Sequence, residues 1–451
     1  MLQDEEGKIN TGYNKSDAAK IRAIPWFLTG GALNTIFYLW TFGGSLFLLF
    51  LNELGLPKGQ IGMLLSLFPF CGVLALAFSP TATRLGRKKV FLWCYGVRKF
   101  VMALLLFLPW IISNFGHAVG LIFLFTILII FALLRAFAET ASYPWAQECI
   151  PNYVRGKVTG MSIVLGTITS GIALWIAGRV IGSSTGLSGY LLLIAIGCFA
   201  GILGVLAMFK VPGGDPQDEV IEPGTHRTNL FLALRDSNFV AFLTGIGCVN
   251  FGTTLLVSFL PLYVKEKLGV SPGNVVALDI AVMIGGALSG LFLGKLTDKV
   301  GSRPILMIVS AVALFLPVGW LLMPRNISYA IFLCIGLYLL YGAIANGLAL
   351  ASGRLLFNSV IPVEQNTAYT AIYYAWVGLT GGIATLLTGS LLSAFGKWQH
   401  NIGSFTVDGQ RIIFVFAILL LSAGWWQYSR VKPDDIYSTR DVLKSIFQVV
   451  K

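Results

Sequence analysis

Three short segments of this chain recur in the same order 211 to 215 residues downstream. Leu54-Gly55-Leu56-Pro57-Lys58-Gly59 returns as Leu268-Gly269-Val270-Ser271-Pro272-Gly273. Arg84-Leu85-Gly86-Arg87-Lys88 returns as Lys299-Val300-Gly301-Ser302-Arg303, and Ile150-Pro151 as Ile361-Pro362. Each copy lies between long apolar runs, so the pattern predicts a duplicated bundle of membrane helices. Internal repeats of this kind accompany solute transport, with the site between the halves near the bilayer midplane.

With 56% hydrophobic and 12% charged residues, the chain is too apolar to be soluble at this length. About 20 residues cross a bilayer core. Twelve runs qualify: 26–51, 59–80, 89–112, 118–147, 157–182, 187–209, 237–263, 273–296, 304–323, 328–353, 367–395 and 410–430. The fold class expected is therefore an all-α membrane protein, with twelve transmembrane helices in two pseudo-symmetric six-helix bundles.

Placing the N-terminus in the cytoplasm gives the inward segments 21 Lys and Arg and the outward ones 6. The opposite topology would break the positive-inside rule. Both termini are thus expected to be cytoplasmic, in a multi-pass protein of the plasma (inner) membrane. The net charge of +12 reflects this bias and not affinity for nucleic acid. Residues 1–24 lack an apolar core, so the first span is expected to act as an uncleaved insertion signal. The six cysteines fall in or at the ends of spans, with neither metal spacing nor a disulfide framework.

Segment 210–236, rich in Pro, Gly and acid, reads as a flexible linker. The organisation expected is a tail at 1–25, a bundle at 26–209, the linker, a second bundle at 237–430 and a tail at 431–451. The outward segment 396–409 reads as a solvated loop.

Gly294-Lys295-Leu296-Thr297-Asp298-Lys299-Val300-Gly301-Ser302-Arg303 resembles the loop signature of the major facilitator superfamily, between the eighth and ninth spans. The first-half copy keeps Arg84, Gly86, Arg87 and Lys88, with Ser79 and Thr83 where the signature has Gly and Asp. Glu148-Cys149-Ile150-Pro151-Asn152-Tyr153-Val154-Arg155-Gly156 is similar to a run of the superfamily's sugar porters. Neither the sugar porters' Pro-Glu-Ser-Pro-Arg run nor the proline-glycine motif of the antiporters is found. The resemblance implies the major facilitator fold and a gating network of Arg84, Gly86, Arg87, Lys88, Glu148, Arg155, Asp298, Lys299, Gly301 and Arg303. Its charges would bridge helix ends in one conformation and release them in another.

The resemblance also implies that spans 1, 4, 7 and 10 line a cavity. Polar residues recur at helical spacing there: Asn34, Tyr38, Thr41 and Ser45 in span 1, and Asn250, Thr254 and Ser258 in span 7. Such residues also glue helices together. Tyr341 and Asn346 of span 10 and Tyr373 of span 11 add groups suited to a polar ring, though packing explains many such aromatics. In span 4, Arg135 and Glu139 stand one turn apart. They form either a structural bridge or a proton-coupling or substrate-binding pair.

No phosphate loop, nucleophile motif or metal cluster is evident, so an enzyme and a cofactor are not expected. The function expected is secondary transport of a small polar solute by alternating access. A sugar is favoured, and proton coupling through Glu139 is left open. Organic-anion or drug transport is the alternative within the fold, and a non-transporting receptor or sensor the alternative outside it. The partners expected are the solute, protons if coupled, and the lipid bilayer, with the chain acting as a monomer and binding no nucleic acid.

Overall fold

The structure, a computed structural model, describes residues 15–215, 233–324, 330–362, 366–395, 398–402 and 405–434. Within these, the side chains of 15–17, 74–83, 143, 298, 366–368 and 401–405 lie outside the described set. So do most of the linker and both extreme tails.

The first half comprises α1 (Lys15–Thr41), α2 (Gly44–Glu53), α3 (Lys58–Leu85), α4 (Arg87–Ala103), α5 (Leu108–Cys149), α6 (Asn152–Ser183) and α7 (Ser188–Met208). The second comprises α8 (Ser237–Val257), α9 (Leu260–Leu268), α10 (Pro272–Val300), α11 (Ser302–Ala313), α12 (Phe315–Leu321), α13 (Ala330–Leu355), α14 (Asn366–Phe395) and α15 (Gly409–Tyr428). Among the described residues, ten helical stretches are long and apolar enough to cross a membrane. The longest, Arg87–Cys149, is two spans joined where Gly116 leaves the helical region, and α3 is a further 28-residue helix. Twelve spans in two bundles result.

Spans 1 and 7 are each broken, into α1–α2 and α8–α9. In span 1 the break falls at Gly43-Gly44, where Gly44 has φ +63. A side chain at that φ would be strained. Several starts are set by side-chain caps. Asp236 accepts from the N–H groups of Asn238 and Phe239, Ser271 from Asn274 just before Pro272, and Asp408 from Arg411. Each satisfies donors that a helix N-terminus leaves free.

Apolar side chains face outward as readily as inward. Ile122 is 67% exposed and Phe292 74%, as expected where the surrounding medium is lipid. The interior holds Phe37, Phe47, Phe131, Phe242, Phe259 and Phe414. The segment read as a plain outward loop instead contains an antiparallel hairpin, β1 (Gln399–Ile402) on β2 (Phe405–Asp408), with Gln399 opposite Asp408. The capping role of Asp408 fixes where that hairpin ends and α15 begins.

We call the end where α1 begins and α15 ends basal and the opposite end distal. The halves meet along α3–α14 and α6–α10. A Cβ on Gly62 would lie 2.8 Å from the Cα of Gly389, and one on Gly273 would lie 2.4 Å from the carbonyl of Gly178. Helix backbones touch there because neither side has a side chain, the packing that small residues permit in membranes.

Candidate functional site

The distal end is closed by reciprocal ion pairs between the halves. Lys58 Nζ lies 2.5 Å from Glu266 Oε2, and Lys265 Nζ lies 3.3 Å from Glu53 Oε2. Glu53 precedes the first copy of the repeated loop and Lys58 lies within it, while Lys265 and Glu266 precede the second, so the two copies face each other at this end. Lys267 reaches Asp408 within the second half at 3.7 Å.

Deeper, Asp279 of α10 bonds across the halves to the break in span 1. Its Oδ2 accepts from the Ser45 N–H at 2.9 Å and its Oδ1 from the Ser45 hydroxyl at 2.8 Å. The carboxylate caps α2 from the opposite bundle. Nothing in the periodicity of either helix marks this pairing, because it links a cap to a residue 234 positions away.

Arg135 and Glu139 do pair, Nε to Oε1 at 2.7 Å, with their side chains 31% and 47% exposed. The Arg135 guanidinium carbon lies 5.5 Å from the centroid of the Phe42 ring. Tyr38, itself exposed, packs edge-on against Phe42 and lies within electrostatic reach of both Arg135 and Asp279. Tyr341 of α13 lies within reach of Tyr38 and Asp279. Span 4, the break in span 1, span 8 and span 10 thus converge on one region.

The other polar candidates are placed differently. Asn34 accepts from Lys99 Nζ at 2.7 Å and from Arg98 Nη2 at 3.4 Å. Thr41 is fully buried and donates to the Phe37 carbonyl. Asn250 donates to the Val377 carbonyl and Thr380 Oγ1, tying α8 to α14. Asn346 donates to the Gly286 carbonyl. Thr254 is half-buried, and its carbonyl accepts from Ser258. Tyr373 is half-buried between the rings of Phe242 and Tyr374. Asn34, Asn250 and Asn346 tie neighbouring helices together, and among the described contacts none of these six groups bonds to the Arg135–Glu139 pair.

Arg98 and Lys99 were not singled out by sequence, yet they are 3% and 0% exposed inside the first half. Arg98 lies 3.7 Å from the Tyr95 ring centroid and Lys99 lies 3.4 Å from that of Phe37. The aromatic faces help to offset the desolvation of two adjacent cations.

At the basal end, Glu148 and Arg155 serve the backbone. Glu148 Oε1 accepts from the Gly214 N–H at 2.9 Å, while Arg155 Nη2 donates to the Gln147 carbonyl at 2.7 Å. Lys88 Nζ donates to the Phe209 carbonyl, its N–H donates to the Gly214 carbonyl, and Trp145 donates to the Pro212 carbonyl. The first residues of the interval read as linker are therefore docked on the first half. Gly86 and Gly301 hold φ +93 and +85, turning the chain into α4 and α11. In the second half Asp434 caps α11, accepting from the N–H groups of Ser302 at 2.7 Å and Arg303 at 3.0 Å, and Arg303 also donates to the Ser429 carbonyl. Burial works against the Asp434 charge, but the Arg303 and Ser302 donors outweigh it and hold its carboxyl below the usual range. Arg84 is exposed and Lys299 is exposed, and Arg87 has a partner. The side chain of Asp298 lies outside the described residues.

A crevice of about 430 Å³ opens among α1, α5 and α6, with Thr35, Gln147, Arg155, Thr159 and Ser162 among its walls. Among the described residues no group of His, Cys, Asp and Glu could hold a metal.

Comparison with known proteins agrees with this architecture. The D-xylose-proton symporter structure superposes with a TM-score of 0.67 at 15% identity, over 92% of this chain and 99% of that one. The nucleoside transporter NupG superposes with a TM-score of 0.66 at 13% identity, over 92% and 99%. In sequence, the chain is 23% identical over 344 residues to the ectoine/proline transporter ProP of Corynebacterium glutamicum, covering 71% of this chain and 67% of that protein. It is 26% identical over 196 residues to the aspyridones efflux protein apdF of Emericella nidulans, covering 43% and 38%. Residues 28–385 match the Major Facilitator Superfamily as a whole. The chain belongs to that superfamily, and is a multi-pass membrane transporter of small molecules.

Proposed function

We propose that this transporter carries a small polar solute without net charge by alternating access, its two bundles rocking about the region where spans 1, 4, 8 and 10 converge. The observation that carries this reading is the Arg135–Glu139 pair. It is half-exposed, it is bonded at 2.7 Å, and it stands beside Tyr38. A pair of opposite charges offers donors and acceptors together while adding no net charge, which suits a polyol, a sugar or a zwitterion better than an anion. An intramembrane ionisable pair is costly unless it faces protein or water, which favours a role in the solute path. The name of the ectoine/proline relative fits a zwitterion, and that of the xylose symporter fits a sugar.

In this reading the bundles are 26–209 and 237–430, and the basal end faces the cytoplasm of the plasma (inner) membrane, as the charge bias indicates. The protein works as a monomer. In this reading the distal ion pairs close the outward end.

A thermal-shift screen of the purified protein, followed by counterflow of the hits in liposomes, tests the proposal. Sugars, polyols or zwitterionic amino-acid derivatives should raise the melting temperature and exchange. Exchange confined to organic anions would overturn it, as would binding without any flux.

A further inference from the structure

A groove of about 640 Å³ runs between α4 and α7 in the first half, and it is larger than the crevice among α1, α5 and α6. Its volume falls within the ~300–1,000 Å³ of ligand pockets. On α4, Lys89, Trp93, Val97 and Phe100 follow one another at steps of four, four and three, so they share one helix face along the groove. Leu206 and Phe209 of α7 form the facing wall. These apolar side chains are exposed, which in a membrane protein turns them to lipid. Gly96 lies on the floor, where a Cβ would meet Val205 at 3.8 Å. The walls therefore stand above a strip that carries no side chain on α4.

The basal end of the groove is basic. Lys88 Nζ donates to the Phe209 carbonyl at 3.1 Å, which holds its ammonium at the end of α7 and leaves two further N–H donors. Lys89 is exposed beside it, and so is Arg84, next to Leu85 of the lining. Among the described residues neither lysine has an ion-pair partner. The acid in the lining is Asp215, exposed at the rim, and the three cations outweigh it.

We propose that this groove binds one anionic glycerophospholipid of the basal leaflet, with its phosphate on Lys88 and Lys89 and one acyl chain between α4 and α7. Length supports the assignment. Lys89 and Phe100 are eleven residues apart, or ~16 Å along the helix, and one leaflet is half of a hydrocarbon core ~30 Å thick. Charge supports it too, since lysines at a membrane surface attract anionic headgroups. The inference holds whichever solute is carried.

The site also touches the linker. Gly213 and Gly214 form part of the groove wall, and the Lys88 N–H donates to the Gly214 carbonyl at 3.2 Å. Gly214 has φ +83, and a Cβ there would lie 2.6 Å from the Lys88 backbone nitrogen. A phosphate on Lys88 thus sits where the linker leaves the first half, and the bound lipid fastens that exit to α4 and α7.

Native mass spectrometry of the full-length protein in detergent, titrated with palmitoyl-oleoyl phosphatidylglycerol or phosphatidylcholine, tests the proposal. The first phosphatidylglycerol should bind roughly ten-fold more tightly than phosphatidylcholine, at about five-fold per lysine. It should also raise the melting temperature more. Lys89→Gln should narrow the preference about five-fold. Gly96→Leu fills the floor, so it should weaken both lipids and leave their ratio unchanged. If Gly96→Leu fails to fold, Lys89→Gln decides alone. Equal binding of the two lipids by the wild type overturns the inference, because it describes an ordinary lipid annulus. Either variant binding phosphatidylglycerol as the wild type does places the lipid elsewhere and overturns it as well. A preference that emerges only after Asp218, Glu219 and Glu222 are replaced by Gln would make the acidic linker the occupant instead.

Discussion

Lys99 Nζ donates to Asn34 Oδ1 at 2.7 Å, and that contact gives span 1 a structural duty inside its own bundle. Lys99 is fully buried beside Arg98, and Asn34 is an acceptor for both. Replacing Asn34 with Ala should leave a buried ammonium without its oxygen, at a cost of ~2 kcal/mol or more. The melting temperature should fall by on the order of 5 °C, with the affinity of the remaining folded protein for its solute unchanged. A loss of affinity at unchanged stability would return Asn34 to the solute site.

The distal ion pairs predict a charge-swap result. Lys265→Glu places a carboxylate against Glu53 and should bias the protein towards the distal-open state. Adding Glu53→Lys should restore closure. The pairs are a quarter to a third exposed, so each is worth only ~0.2–1 kcal/mol and weakens in high salt. The population change should be about five-fold or less, measured by labelling of a cysteine placed at the distal mouth. A double swap that stays open would show that the pairs do not hold the halves.

Glu139 should matter for the solute. Glu139→Gln removes the charge that fixes the Arg135 guanidinium and should weaken solute binding roughly ten-fold or more, the effect of ~1.5 kcal/mol. Membrane insertion should persist. Binding isotherms and counterflow check this, and wild-type affinity in the variant would exclude the pair from the solute path.

Asp434 predicts an acid-sensitive contribution at the basal end. Its carboxyl is held below the ordinary value by the Arg303 and Ser302 donors, despite burial. The stability it adds is therefore fully present above the ordinary carboxylate range and lost as pH falls through its lowered folded-state value. Asp434→Asn should lower the melting temperature at pH 7, and the gap from wild type should shrink towards pH 3. A gap that does not depend on pH would assign the residue a role other than an ionised cap.

The sequence by itself determined the number of spans, their division into halves and the places where the halves echo one another. Hydrophobic length, charge bias and the repeated loops are local or additive signals, readable without knowing what touches what. The i and i+4 spacing of Arg135 and Glu139 likewise set their pairing, because a helix places those positions side by side. Only the tertiary structure decided what the isolated polar residues do. Asn34, Thr41 and Asn250 share the spacing of a cavity stripe, yet each bonds to a helix or a cation of its own bundle. The same spacing serves either face, and only the neighbour's position distinguishes them. The Asp279–Ser45 contact was equally invisible, since it depends on a break in one helix meeting a side chain of another across 234 residues. A capping bond within one helix leaves a local sequence mark, whereas a cap supplied by the opposite bundle exists only once the two bundles have closed.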